Sequence, residues 1–580
     1  MDSTKVFALI LFVVVLFATF VTPATSITCT VSEAPQRGGT LVIGMVSEPT
    51  VLDSCSGAWT VAPFAGNIFD TLLATDEKMN IVPELAESWR IDYANKRYIF
   101  KIRSGVKWHD GKPLTVEDVK FTFEYIIPNY DNRGVYFKGT KVEILNETSV
   151  AIIPGDFAPG FQIPMMASAD IVIYPKHILE GVDFLKSGFR TAPIGSGPFK
   201  FQEWVKGSHI VLVRNENYWK PGKPYLDKIV FKFITDPAAL LAALIAGDVD
   251  YVYRGLPYEA YKALTMNPNL QVFVDYKPAY KVFLAFNLNH TDPAKKAILS
   301  NVLVRRAIAY AINKTDIVYK ATLGICRPSD RFWSDAFMPP NPNMTKYEYN
   351  PKKANELLDQ AGFPMVGGKR FTLELLTRSG EADEVKTADL LKNYLKNVGI
   401  DIVIKAVDFN TFEQLTANYQ YDIQLFKRWI MPIFSYQNHH SSFIIKGRIL
   451  VNTAQYSNPK VDYWYDVWAY YAKSDEERVK ALLNVESILT NDLPELPIYD
   501  VGWMYVWNKR VGNAFVPARN WLQSEKLENI YIITPTVTPP PAEQPTWPYM
   551  TVVTVTAAVI VVAAIASVIV IKYRHKGTRT

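Results

Sequence analysis

Cysteine is nearly absent from this chain: Cys29, Cys55 and Cys326 are its only three in 580 residues. Three thiols cannot all pair, and their spacing matches no metal site, so a disulfide scaffold and a zinc module are both excluded. One disulfide plus a free thiol stays open, with Cys55 joined to Cys29 or to Cys326. Histidine is also scarce, at seven residues, and the adjacent His439 and His440 have no third ligand at a working spacing. Net charge is small. Of the overall +5, Lys572, Arg574, Lys576 and Arg579 carry most, which leaves a near-neutral body without the electrostatic footprint that nucleic acid requires. Gly195-Ser196-Gly197 runs into Pro198 and completes neither a phosphate loop nor a nucleophile elbow. No internal repeat is visible. These absences point away from catalytic, metal or cofactor chemistry and toward binding.

What is present begins at the two ends. Lys5 precedes an uncharged, apolar run over residues 6–21, and small residues follow at Ala24, Thr25 and Ser26. That is the build of a secretory signal peptide over 1–28, with an uncleaved anchor as the alternative. At the other end, residues 550–571 contain no charge, and a helix of that length spans a hydrocarbon core of roughly 30 Å. Trp547 and Tyr549 precede it, and the four cations of the tail follow. The positive-inside rule then predicts a single-pass cell-membrane protein with the body extracellular and the tail of 572–580 cytoplasmic. The Pro/Thr-rich segment 534–549 reads as an extended stalk. Four Asn-x-Thr triplets, at Asn146, Asn289, Asn313 and Asn343, are compatible with export.

The body alternates strands with capped helices. Residues 39–46 form an apolar strand. Residues 96–103 place Tyr98, Phe100 and Ile102 on one face and Lys101 and Arg103 on the other, a half-buried strand. Thr115 with Asp118 caps a helix over 116–127, and Pro128 is expected to stop it. Asp236-Pro237 opens another helix and Gly247 closes it. Residues 371–377, 385–398 and 400–407 alternate as strand, helix and strand, so the chain is α/β with partly parallel sheets. His109-Asp110-Gly111 reads as a tight turn and Gly195-Ser196-Gly197 as a close-packed one.

Three stretches carry a family resemblance. Pro83-Glu-Leu-Ala-Glu-Ser-Trp89 leads through Tyr98-Ile-Phe-Lys-Ile-Arg103 to Gly105-Val-Lys-Trp-His-Asp-Gly111. Ile194-Gly-Ser-Gly-Pro-Phe199 is followed by Arg214-Asn-Glu-Asn-Tyr-Trp-Lys220, and Asn301-Val-Leu-Val-Arg-Arg-Ala-Ile-Ala-Tyr-Ala-Ile312 comes later. Together they resemble the family 5 extracellular solute-binding proteins, the dipeptide and oligopeptide-binding class that serves ABC importers. The resemblance implies a two-lobed, periplasmic-binding-protein type II fold with an extra subdomain. Lobe I would take 29–276 and a return at 500–533, lobe II 277–499, with crossings near 272–287 and 496–508. The implied mechanism is capture of a solute by hinge closure and hand-over to ABC permease subunits, without chemistry.

For the ligand, the resemblance points to residues 427–432. Peptide-binding members carry a Trp followed by an aspartate that pairs with the peptide ammonium. Trp429 matches, but no Asp or Glu lies between Asp422 and Asp462. Arg428, Trp429, Tyr436 and Gln437 offer aromatic faces, an amide and a cation, which suit sugar rings as well as peptides, and archaeal-type members with a C-terminal anchor bind oligosaccharides. Trp59, in the loop after the first strand, and Tyr280 and Trp503, on the crossings, complete the expected ligand-binding set. The solute is therefore an oligosaccharide or an oligopeptide. A membrane-anchored, solute-sensing receptor is the alternative, although the short tail holds no signalling domain. An exported hydrolase finds no supporting residues.

Overall fold

The computed structural model describes residues 35–56, 61–76, 80–131, 134–169, 171–252, 255–275, 280–335, 338–448, 451–514 and 527–533. Among them the first large sheet has seven strands, ordered Leu270–Asp275, Trp503–Asn508, Tyr251–Val252, Thr40–Met45, Lys228–Phe233, His209–Arg214 and Phe199–Val205. Thr40–Met45 lies parallel to both its neighbours and is apolar along its length because both faces are covered. Leu41, Ile43 and Met45 pack with Phe64, Ile68 and Phe231 on one side. Val42 meets the core of Leu240, Leu244 and Val249 on the other.

The second large sheet has six strands, ordered Arg327–Pro328, Glu495–Asp500, Tyr280–Phe286, Ile423–Trp429, Phe371–Arg378 and Ile400–Val407. Phe371–Arg378 pairs in parallel with Ile400–Val407, and helix Ala382–Lys396 connects them, which is the strand-helix-strand unit read from the pattern. Leu373 and Leu375 bury against Ala388, Leu391 and Leu395. A third, antiparallel sheet joins Ala86–Asp92, Arg97–Ile102, Ser149–Ile153 and Lys141–Asn146. On its second strand Tyr98, Phe100 and Ile102 are buried while Lys101 is exposed, as the alternation requires.

The chain passes between the two large sheets twice. It leaves the first sheet at Asp275 and enters the second at Tyr280; it returns from Asp500 to Trp503 across Val501 and Gly502. Both points fall inside the segments read as crossings. At Gly502 a Cβ would come within 2.2 Å of the Ile325 carbonyl oxygen, so glycine alone lets the return segment lie this close to its neighbour. The result is a mixed α/β, two-lobed fold in which each large sheet is covered by cores of its own.

Caps behave as read, with one exception. Thr115 and Asp118 form the expected capping box, Asp236 accepts from the Ala239 amide at 2.7 Å, and Gly247 takes a left-handed φ of 83°. Pro128 does not stop its helix. A π turn at Thr122–Ile126 runs directly into Ile127–Tyr130, and Pro128 lies within that continuous helical run, which ends only at Asp131.

The single-pass membrane localisation is corrected. Among the described residues no helix is long and apolar enough to cross a membrane. Residues 550–571, on which that expectation rested, lie outside the described ones, as do the signal-peptide segment and the stalk. The thiol question narrows: Cys326 is a free, buried thiol, so it does not pair with Cys55.

Candidate functional site

In open α/β sheets, ligands collect outside the carboxyl ends of the strands. Trp429 ends the strand Ile423–Trp429, and antiparallel pairing sets Tyr280 directly opposite it. Trp503 opens the strand that returns to the first sheet. The three rings close into a triangle, with centroids 5.0 Å apart for Tyr280 and Trp429, 5.9 Å for Tyr280 and Trp503, and 5.7 Å for Trp429 and Trp503. All three pairs meet edge to face, the arrangement that ring quadrupoles favour. Each ring is half-buried. Strands of both large sheets thus supply one aromatic surface.

Charge is concentrated beside it. Lys427 donates to Glu381 Oε2 at 2.6 Å and to Asp383 Oδ1 at 2.7 Å. Arg378 grips Glu384 with Nε 3.0 Å from Oε2 and a second, parallel bond. Although burial disfavours its charge, Asp383 and Glu381 hold Lys427 well above the ordinary lysine range. Burial raises Tyr280, which also feels the fields of Arg378, Lys427 and Glu381. The Glu381 side chain is 41% exposed, and its bond to Lys427 uses one carboxylate oxygen. Nothing in the sequence around Lys427 announces these acids, which lie more than forty residues away; their position just past the strand Phe371–Arg378 is the one signal available.

The other expected ligand residues have different surroundings. Arg428 is a near neighbour of Trp429 but turns into the core, where it makes a two-bonded ion pair with Glu495 and stands 4.4 Å over Phe283. Burial works against both charges; the Arg428 charge nevertheless holds the Glu495 carboxyl low. His439 is buried against the same pair, and burial depresses its basicity. Tyr436 is buried; it donates to Asp466 at 3.0 Å and stacks on His440 at 4.6 Å. Gln437 donates to the Tyr136 hydroxyl. Trp59 lies outside the described residues. The structure therefore brings together Tyr280, Trp429 and Trp503, and leaves Arg428, Tyr436 and Gln437 engaged in other contacts.

The two best-known motif stretches are structural. His109 receives the Gly195 amide on Nδ1 at 3.1 Å and sets Nε2 3.0 Å from the Gly197 carbonyl, and burial pushes its pKa down to about 4. A Cβ on Gly195 would lie 1.9 Å from the Ile68 carbonyl oxygen. The two motifs lock each other and offer no reactive group.

Comparison with known proteins agrees with this architecture. The model of the family described as "Bacterial extracellular solute-binding proteins, family 5 Middle" matches residues 80–440. The oligopeptide-binding protein AppA of Bacillus subtilis is 32% identical over 458 residues, which cover 74% of this chain and 80% of that protein. The structure of that AppA in complex with a nonapeptide aligns with a TM-score of 0.70 at 27% identity, covering 86% of this chain and all of the other. NikZ of Campylobacter jejuni in complex with Ni(L-His) aligns at 0.66 and 25% identity, covering 81% and 94%. Proteins of one architecture thus hold solutes as different as a nonapeptide and a nickel chelate, and these relatives are binding proteins. This chain belongs to the family 5 extracellular solute-binding proteins.

Proposed function

We propose that the chain is the solute-binding component of an ABC importer, that its solute is a peptide, and that it hands this solute to the permease subunits after closing around it. The observation that carries the reading is the triangle of Tyr280, Trp429 and Trp503, built by both lobes where the chain crosses between them. Ring faces at such a junction cover apolar side chains and backbone without demanding one sequence. Glu381 is the carboxylate we assign to the peptide ammonium, because a desolvated cation needs a close counter-charge and the segment after Trp429 has none. The four-stranded sheet is the extra subdomain of lobe I in this reading.

An oligosaccharide is the second reading, supported by the aromatic surface itself. It is weaker than the sequence suggests, since Tyr436 and Gln437, which would stack on and hydrogen-bond to a sugar, are occupied by Asp466, His440 and Tyr136. Thermal melting of the full chain against panels of peptides and of oligosaccharides separates the two. Peptides are expected to raise Tm and sugars to leave it unchanged; stabilisation by sugars alone overturns the peptide assignment, and chemical conversion of any bound solute overturns the binding role. N-acetylated peptides test Glu381: they should bind more weakly than free peptides to the natural chain and equally to Glu381→Gln.

A further inference from the structure

The lobes also meet at a second place, made by none of the crossing residues. Helix Pro159–Met166 belongs to the four-stranded unit, where Ile163, Met165 and Met166 pack with Tyr98, Phe100 and Val119. Its Phe161 points the other way, into the core that Tyr436, Trp468 and Ala469 form beside the second sheet. The Phe161 ring stands 4.9 Å from Trp468, 5.0 Å from Tyr436 and 6.0 Å from Tyr470, edge-on to each. Gly160 makes the approach possible: a Cβ there would lie 2.5 Å from the Trp468 carbonyl oxygen. Trp468 and Tyr470 sit on a π turn, Val467–Tyr471, a local widening of the helix that alters how its side chains are presented.

The contact is reciprocal. Ile433, from helix Pro432–His439 of the second lobe, packs against the core of the four-stranded unit as well as its own. Two polar bridges flank the rings: Gln437 donates to the Tyr136 hydroxyl, and Arg478 donates to the Tyr93 hydroxyl at 2.8 Å. The four-stranded unit is meanwhile fixed to the first lobe. Asp70 accepts from Ser196 at 3.0 Å and from Trp219 at 3.1 Å, Lys220 pairs with Glu84 at 2.9 Å, and His109 is held by Gly195 and Gly197. Hinge opening at the crossings would carry the unit with the first lobe and withdraw Phe161 from its slot.

We propose that Phe161, with Gly160, Ile433 and the Tyr136–Gln437 and Tyr93–Arg478 bridges, is a clasp that keeps the lobes closed in the absence of solute. A contact present only in the closed state shifts the population toward it, and the fraction already closed scales the apparent affinity for any solute. Closure is therefore divided between solute and clasp. Small-angle scattering of the solute-free full chain tests this, with native mass spectrometry verifying that no solute is retained. Natural protein is expected to scatter as a molecule with its lobes in contact. Phe161→Ala should lower the closed-to-open ratio about tenfold or more, since each lost ring contact counts, and so raise the radius of gyration. Should that variant fold poorly, Tyr93→Phe combined with Gln437→Leu removes both polar bridges and leaves the cores intact; it should also expand the molecule. An expanded natural protein, or an unchanged radius in folded variants, overturns the clasp. No solute enters the measurement, so its outcome is separate from that of the peptide assignment.

Discussion

Arg428 and Trp429 are adjacent on one strand, yet one is core and the other surface, because successive side chains of a strand point to opposite faces. A cation in an aromatic segment suggests a ligand contact from sequence alone. Its partner Glu495 lies 67 residues onward, so the pairing that buries it was not legible. Arg428→Ala should cost about 3–5 kcal/mol of stability, because it leaves the Glu495 carboxylate buried and unpaired; urea unfolding checks the loss. Trp429→Ala should lower solute affinity and also cost about 1–3 kcal/mol of stability, because its ring packs edge to face on Tyr280 and Trp503. His109 gives a pH prediction. Its folded pKa of about 4 lies below the ordinary value near 6.5, so the unfolded chain takes the proton first. Stability is then full above about pH 6.5 and falls as pH drops toward 4. Ring titration by NMR should find His109 neutral at pH 5; a protonated ring there contradicts this reading.

At the scale of elements, local signals were the readable ones. Thr115 with Asp118, Asp236 with Gly247, and the alternation over Arg97–Ile102 each act within a few residues, and each appears where the pattern put it. Asp236→Ala should destabilise by about 1 kcal/mol through loss of the cap, measurable as a shift of the urea midpoint. Pro128 was misread because a π turn upstream shifts the register, and no composition signal marks such a turn. The turn at Gly195 was legible as close-packed, but not that Ile68 and His109 are what it packs against. Gly195→Ala should therefore cost about 3 kcal/mol by overpacking against backbone that cannot yield, seen as a lower Tm with no change in the solutes bound.

At the scale of the molecule, the alternation of strands and helices foretold an α/β body because it is a short-range pattern, whereas the two lobes were expected only from the family resemblance that the motif stretches carry. The proposed site was legible only in part. Tyr280, Trp429 and Trp503 were expected from their places on the crossings and the ligand loop, and their rings touch in the fold. Glu381, the carboxylate proposed for the peptide ammonium, was not foreseen, since its relation to Lys427 exists only after folding. The acid-free segment after Trp429 put the usual hold on a peptide ammonium in doubt; the fold sets Glu381 and Asp383 against Lys427 from another strand end.

Isothermal titration of the natural full chain and of Trp429→Ala, with the solute that most raises Tm, tests the central claim most directly. The account predicts one solute per chain, a negative heat-capacity change from burial of apolar surface, and at least a tenfold loss of affinity in a variant that remains folded at the titration temperature. Absence of binding to any member of the panels, or equal affinity in the two proteins, would contradict it.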